Sequence, residues 1–347
     1  MSFTRARRFC FAMVLGTIAL GTAMGWSTKS IAQTKTLKMH TFGPERSVET
    51  KIIFEPLQAD VEKHSGGALK IQMFYGMTLG GKPADLISQV TGGVVDISYT
   101  LPGYHAGRFS VLEGLELPFI FKNGEHASRA AWDWVEKYAG REFTEFKLLS
   151  INAIDSGVVH TSRTAVRKLE DMKGLKLRVA GRYIGMAVAA FGGVPVQMPL
   201  PDVYDAIAKG QVQGTMIPWL ITVPFKMREV IKYSTDIPIF NSLLLIVMNN
   251  DTWKGLSAEQ RRGIEASTGR EFGQRYGRKW DEDADIGRKA SLEKGNEVIK
   301  LSAEETKRWE TAGRTAHNAW IEDMNKKGLD GQQMYKDLLA IAAKYEK

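Results

Sequence analysis

Short strand-like runs alternate with helix-like runs along most of this chain, and that alternation restricts its fold more than any other feature. Strand character appears at 36–42, 68–74, 94–100, 146–153, 158–160, 173–179, 194–198, 212–217 and 238–249. Between these runs, apolar residues recur at helical spacing over 48–65, 83–91, 123–138, 183–191 and 201–209. The first of these helices carries Ile52, Ile53, Leu57 and Val61 and stops at Gly66-Gly67. Residues 256–299 are almost all helix formers, and their mixed-charge run 278–289 reads as a solvated helix face with i,i+4 pairs. Ser302-Ala303-Glu304-Glu305 then opens further helix toward the C-terminus, with a capping glutamate. Such alternation predicts parallel sheets covered by helices. A chain of 347 residues exceeds one ordinary domain, so the expectation is two α/β lobes with a cleft between them. In open α/β sheets that cleft is where ligands sit, outside the carboxyl ends of strands. The run 238–249 is long enough to cross between lobes.

The N-terminus stands apart from this pattern. Arg5, Arg7 and Arg8 precede an apolar stretch from Phe9 to Met24, and Ser30-Ile31-Ala32 supplies the small residues of a cleavage site. Residues 1–32 therefore read as a secretory signal peptide cut after Ala32. Cys10 is the only cysteine and falls inside it, so the exported chain is expected to hold neither a disulfide nor a cysteine metal site. No later apolar run approaches the ~18 residues a membrane span needs, so the exported protein is not itself membrane-embedded. Removing the four cations of the signal from the formal +8 leaves +4. That mild excess favours small anions. It is not a nucleic-acid signature, because the cations are scattered among acids.

Tests for chemistry fail in turn. Gly76-Met77-Thr78-Leu79-Gly80-Gly81-Lys82 approaches a phosphate-binding loop, but Pro83 stands where a magnesium-binding hydroxyl belongs, so it reads as a turn before a helix. The six histidines are His40, His64, His105, His126, His160 and His317, and none has metal-ligand spacing. There is no Gly-x-Ser-x-Gly elbow. Asp155, His160 and Ser156 or Ser162 lie too close in sequence to converge as a triad. No cofactor and no metal are expected.

One strand carries a positive signal for binding. In Gly174-Leu175-Lys176-Leu177-Arg178-Val179, the period of two puts Leu175, Leu177 and Val179 on one face and Lys176 and Arg178 on the other. A guanidinium held at a strand end suits a carboxylate, which it meets with two parallel hydrogen bonds. Trp219, after Pro218, reads either as core packing or as a ligand platform.

Taken in order, Leu79-Gly80-Gly81, Gly93-Val94-Val95-Asp96, Glu116-Leu117-Pro118-Phe119, Gly174-Leu175-Lys176-Leu177-Arg178 and Gly210-Gln211-Val212-Gln213-Gly214 resemble the solute-binding subunits of TRAP (tripartite ATP-independent periplasmic) transporters. The resemblance covers nearly the whole exported chain. It implies a type II periplasmic-binding-protein-like fold with two lobes around a ligand cleft and a long lobe-spanning helix. The lobes would comprise 33–155 plus about 246–285, and 156–245 plus about 286–347. It also implies a periplasmic location and a partner permease of one small and one large membrane subunit, driven by an ion gradient. The family's carboxylate-pairing arginine corresponds to Arg178.

The departures from the sialic-acid-binding members are informative. Those members have a second arginine where this chain reads Gly157-Val158-Val159-His160-Thr161, a glutamate at Leu101, Glu-Asn-Pro at Met216-Ile217-Pro218, an asparagine at Phe42 and an aromatic at Leu200. Apolar groups have replaced most of the polar set while the arginine remains. An unpaired buried polar group costs about 1–3 kcal/mol, so such a pocket favours a carboxylate with an apolar or aromatic body. Arg178, Trp219, His160, Tyr99, Phe42, Leu101, Met198, Leu200 and Ile217 are the expected ligand-binding residues, with Tyr104 as a further aromatic wall. The expected function is capture of an organic acid, without catalysis, for delivery to the permease. The rival readings are a periplasmic ligand sensor, a receptor for a sugar acid or dicarboxylate, and an exported enzyme, for which no nucleophile or acid–base pair is found.

Overall fold

The computed structural model describes residues 34–346; the expected signal peptide lies outside them. The N-terminal third holds β1 (Lys35–Thr41), α1 (Glu55–His64), β2 (Leu69–Phe74), α2 (Leu86–Thr91), β3 (Ile97–Thr100) and α3 (Gly124–Lys137). The middle runs through β4 (Phe146–Thr161), β5 (Lys176–Val179), α4 (Arg182–Ala190), β6 (Val194–Gln197), α5 (Val203–Ala208), β7 (Gly214–Pro218) and β8 (Tyr233–Asn249). Helices then dominate: α6 (Asn250–Lys254), α7 (Ala258–Ser267), α8 (Arg270–Glu293), α9 (Ala303–Lys326) and α10 (Gly331–Tyr345), interrupted by β9 (Glu297–Ile299).

The alternation is as expected, but the sheet is mixed rather than parallel. It is a single nine-stranded sheet of order β2-β1-β3-β8-β4-β7-β5-β6, with β9 beside β8. Two parallel wings, β2-β1-β3 and β7-β5-β6, are joined through β8 and β4, which pair antiparallel to each other and to β3 and β7 respectively, while β9 pairs parallel with β8. Strands β4 and β8 are 16 and 17 residues long. Their C-terminal and N-terminal parts serve opposite wings: β8 meets β9 at Tyr233–Thr235 and β3 at Leu245–Met248. The expected break between 153 and 158 is absent. Asp155-Ser156-Gly157 stays in the strand because register shifts at Ala153/Ser156 and Gly157/Val159 absorb the irregular pattern as bulges. The stretch 256–299 likewise departs from continuous helix. Gly295, at φ 86°, ends α8 and releases the chain into β9.

The cores divide by sheet face. Leu243, Leu245 and Val247 join one core with Trp134, Trp309 and Trp320, under α3, α4, α9 and α10. Leu244, Ile246 and Met248 join the other with Leu37, Met39 and Trp280, under α1, α5, α7 and α8. Alternate residues of β8 thus assign the two layers, as the period of two requires. Leu175, Leu177 and Val179 fall in the first core as expected, which turns Arg178 toward the second face.

Helix α8, 24 residues long, crosses the second face from wing to wing. Its Asp281 accepts from the free N–H groups of Gly124 and Glu125 at 2.8 and 2.7 Å, capping α3. Farther along, Gly287 lies so close to the Trp219 carbonyl that an added Cβ would stand 2.0 Å from its oxygen. Alanine gains about 1 kcal/mol over glycine in a helix interior, but this obstacle is backbone and has nowhere to go. Gly287→Ala is therefore expected to lower stability by roughly 1–3 kcal/mol net, read as a lower urea midpoint. An unchanged or raised midpoint would mean that α8 does not pack this tightly on the wing that carries Trp219.

Candidate functional site

Strand β5 lies within the second wing, between β7 and β6. Arg178 pairs through its backbone with Val196 of β6 and Thr215 of β7, and its side chain is 2% exposed. Nε donates to the Met198 carbonyl at 2.9 Å, whereas Nη2 is buried without any partner. Burial lowers the guanidinium's proton affinity and the adjacent Tyr104 phenol raises it, which leaves a charged group held in a largely apolar setting. The Tyr104 hydroxyl in turn accepts from the Leu200 N–H at 3.0 Å.

Arg178 lines a cavity of about 30 Å³. Phe42, Leu101, Leu200 and Ile217 line it too, as does Tyr104. Phe42 meets Tyr104 edge-on at 5.3 Å. Strands β4, β7 and β8 add Ile154, Met216 and Leu244, and with Phe42 after β1 and Leu101 after β3 both wings contribute walls. Outside Phe42 opens a cleft of about 800 Å³, whose rim carries Arg46, Lys82 and Lys226 against the single acid Asp202.

Four of the expected residues are not on the cavity wall. His160 is fully buried, with Nδ1 2.8 Å from the Ser234 hydroxyl and Nε2 3.2 Å from the Ile217 carbonyl. Both ring nitrogens are occupied, and burial pushes the imidazole down to about 3, so it is a neutral core histidine. Trp219 packs edge-on against it at 4.9 Å and donates its indole N–H to Asp236. Tyr99 stands behind Phe42, with ring centroids 6.5 Å apart. Met198 serves Arg178 through its backbone carbonyl rather than its side chain. The Gly76–Lys82 segment is a turn, with Gly80 and Gly81 at φ 86° and 81°, ahead of the short 3-10 turn that leads into α2.

The cavity also holds residues that the sequence reading passed over, namely Glu49, Ile154, Ala180 and Ser242. Glu49 had a usable signal. It lies four residues before Ile53, eight before Leu57 and twelve before Val61, all buried on one helical face.

Residues 39–323 match the family model of bacterial extracellular solute-binding protein, family 7. A TRAP solute-binding protein from Rhodoferax ferrireducens, solved with copurified benzoate, is 33% identical and aligns over 90% of this chain and 98% of its own with a TM-score of 0.88. The chain belongs to this family of TRAP solute-binding proteins. A marine metagenome TRAP solute-binding protein specific for aromatic acid ligands, solved with 3-hydroxybenzoate, is 32% identical, covers 91% of this chain and 100% of its own, and has a TM-score of 0.88. The C4-dicarboxylate-binding periplasmic protein DctP of Rhodobacter capsulatus is 25% identical over 91% of this chain and 94% of its own length. Among the described residues, no helix is long and apolar enough to cross a membrane.

In this TRAP solute-binding protein, two buried acids brace the turn after the arginine strand. A Cβ added to Gly181, the residue after Ala180, would lie 3.6 Å from both a Glu113 and a Glu116 carboxyl oxygen. Across the same turn, Gly103 lies so close that its own added Cβ would be 2.8 Å from the Gly181 Cα, and Gln197 donates to the Gly103 carbonyl at 2.9 Å. Glu116 accepts from the Leu243 N–H at 2.9 Å. Burial first, and then the charge of Glu116, push Glu113 up to about 8 from an ordinary 4.5. The folded state therefore holds this proton more tightly than the unfolded one. Its contribution to stability is complete below pH 4.5 and is lost as the pH rises through about 8. Glu113→Gln is accordingly expected to melt like the wild type near pH 5 and above it at pH 8.5, in a series of thermal melts. Parallel curves across that range would show that Glu113 is not held protonated.

Proposed function

We propose that this protein is an exported receptor that captures an organic monocarboxylate with an apolar or aromatic body and delivers it to a TRAP-type membrane permease of one small and one large subunit. The observation that carries this reading is the buried Arg178 with an unpartnered Nη2 in a cavity otherwise walled mostly by aliphatic and aromatic side chains. A ligand carboxylate meets that unsatisfied donor, and the Phe42, Leu101, Leu200 and Ile217 side chains exclude water from the rest of the molecule. The benzoate and 3-hydroxybenzoate held by the two similar TRAP proteins support an aromatic body over a polyhydroxylated one.

Binding uses two lobes, 33–155 plus about 246–285 and 156–245 plus about 286–347, with residues 1–32 removed on export to the periplasm. A cavity of about 30 Å³ is well below the ~150 Å³ that admits a benzene ring. The walls must part for a ring-sized ligand to enter, and closure on the ligand by hinge motion follows. The protein performs no chemistry on its cargo.

Calorimetry with benzoate and phenylacetate tests the assignment. Arg178→Ala is expected to weaken binding on the order of 100-fold or more, because one partner of a desolvated charged pair is removed. Arg178→Lys keeps the charge but not the planar fork, and is expected to fall between. Unchanged affinity in a folded Arg178→Ala variant would remove the arginine, and with it the carboxylate reading.

A further inference from the structure

The carboxylate pole leaves a second buried polar side chain of the cavity without a role. Glu49 lines the same cavity, is 3% exposed, and leaves Oε2 buried with no hydrogen-bond partner. It reaches the cavity from the segment between β1 and α1, just ahead of a π-helical turn at Thr50–Phe54, whereas Arg178 comes from β5 in the other wing. The groups that perturb Arg178 are Tyr104 and Asp202, and Glu49 is not among them. The two side chains enter one cavity from different wings, and among the described residues no ion pair joins them.

A packing role does not account for a buried carboxyl with a free oxygen. Leucine would fill the volume without the desolvation cost, and buried polar groups in folded proteins are normally paired. None of the groups that perturb Glu49 is a cation, and burial pushes its carboxyl above the ordinary range. It therefore presents a buried, unpartnered carboxyl oxygen to the cavity that a ligand hydroxyl can meet. The Tyr99 phenol, raised first by burial and then by its nearness to Glu49, is also buried without a partner.

Resting on the carboxylate reading above, we infer that Glu49 is the specificity-determining residue of the pole away from Arg178, and that the acid captured here carries one hydroxyl distal to its carboxylate. A hydroxyl donates to the free carboxyl oxygen without bringing a second charge into the cavity. A second carboxylate on the ligand would meet no cation at this pole. Additional hydroxyls would face a wall mostly of Leu101, Ile154, Leu200, Ile217 and Leu244, which cannot pair with them, the Ser242 hydroxyl and the Tyr104 phenol being the other polar groups there.

The test is calorimetry on the wild type, Glu49→Leu and Glu49→Gln, using benzoate against its 2-, 3- and 4-hydroxy isomers and phenylacetate against its ring-hydroxylated forms. In the wild type, at least one hydroxylated acid is expected to bind about tenfold tighter than its parent, the value of one well-placed buried hydrogen bond. In Glu49→Leu that ratio falls to near one, while Glu49→Gln, which still donates and accepts, keeps most of it. A wild type that binds the parent acids with no gain from any hydroxyl overturns the inference and spares the carboxylate reading. So does a Glu49→Leu variant that keeps the ratio, with Glu49→Gln serving as the folded reference if the leucine variant is unstable. If none of the acids binds the wild type, the carboxylate reading itself fails, and this inference with it.

Discussion

The antiparallel ladder between β4 and β8 is the constraint on which the rest of the structure hangs. Strands of 16 and 17 residues pair along their length, from Phe146↔Asn249 to Thr161↔Tyr233. Each buried backbone N–H and C=O in that stretch needs a partner, so the two wings cannot be built independently. The alternate side chains of β8 feed both cores, and the register of this one ladder fixes which residues reach which face. Its bulge at Ala153/Ser156 lies beside Ile154, with Ser242 across from it, and both line the cavity. The local break in regular pairing is where the sheet turns its surface into a binding wall.

The binding pole follows from what it costs to bury a guanidinium. Taking a charge out of water costs several kcal/mol even after relaxation. The Met198 carbonyl and the Tyr104 phenol offset part of that for Arg178 and leave Nη2 unmatched. Such a group discriminates by asymmetry. A ligand carboxylate satisfies it with a charge-assisted bond of about 1.5–3 kcal/mol net, while a neutral ligand leaves the donor stranded. Discrimination against sugar acids works in the opposite sense, because the aliphatic wall strands their hydroxyls instead.

Much of this was legible in the sequence, and the failures have definite causes. Period-two patterning placed Leu175, Leu177 and Val179 on one face and Arg178 on the other because both neighbouring strands bury that segment. Phe42, Leu101, Leu200 and Ile217 were located by resemblance, since their positions along strand ends are set by topology. His160 and Trp219 lie off the cavity wall because they partner each other and local backbone and side-chain acceptors, and a satisfied core histidine has the same one-dimensional signature as a ligand contact. The mixed sheet was missed because alternation with helices does not fix strand direction when two strands are long enough to run past both wings. Glu49 was missed because a glutamate near a helix start ordinarily faces solvent or the helix dipole. Its spacing to Ile53, Leu57 and Val61 said otherwise.

Selection and attraction act at different depths in this protein. Around the 800 Å³ outer cleft, Arg46, Lys82 and Lys226 outweigh Asp202, which raises the local concentration of any small anion. Solvent surrounds these groups, so their field is screened over about 8 Å at physiological salt and does not distinguish one acid from another. Past Phe42 the balance reverses. There a charge without a partner is costly, and in the proposed reading a carboxylate enters only where Arg178 can take it. The two terms differ in kind as well as in place: the outer one is Coulombic and weakens with salt, whereas the inner one is a difference in desolvation between ligands of equal charge. A receptor built this way gathers acids without regard to their bodies and retains them by the apolar surface they can bury, at about 25 cal/mol per Å² before the costs of association.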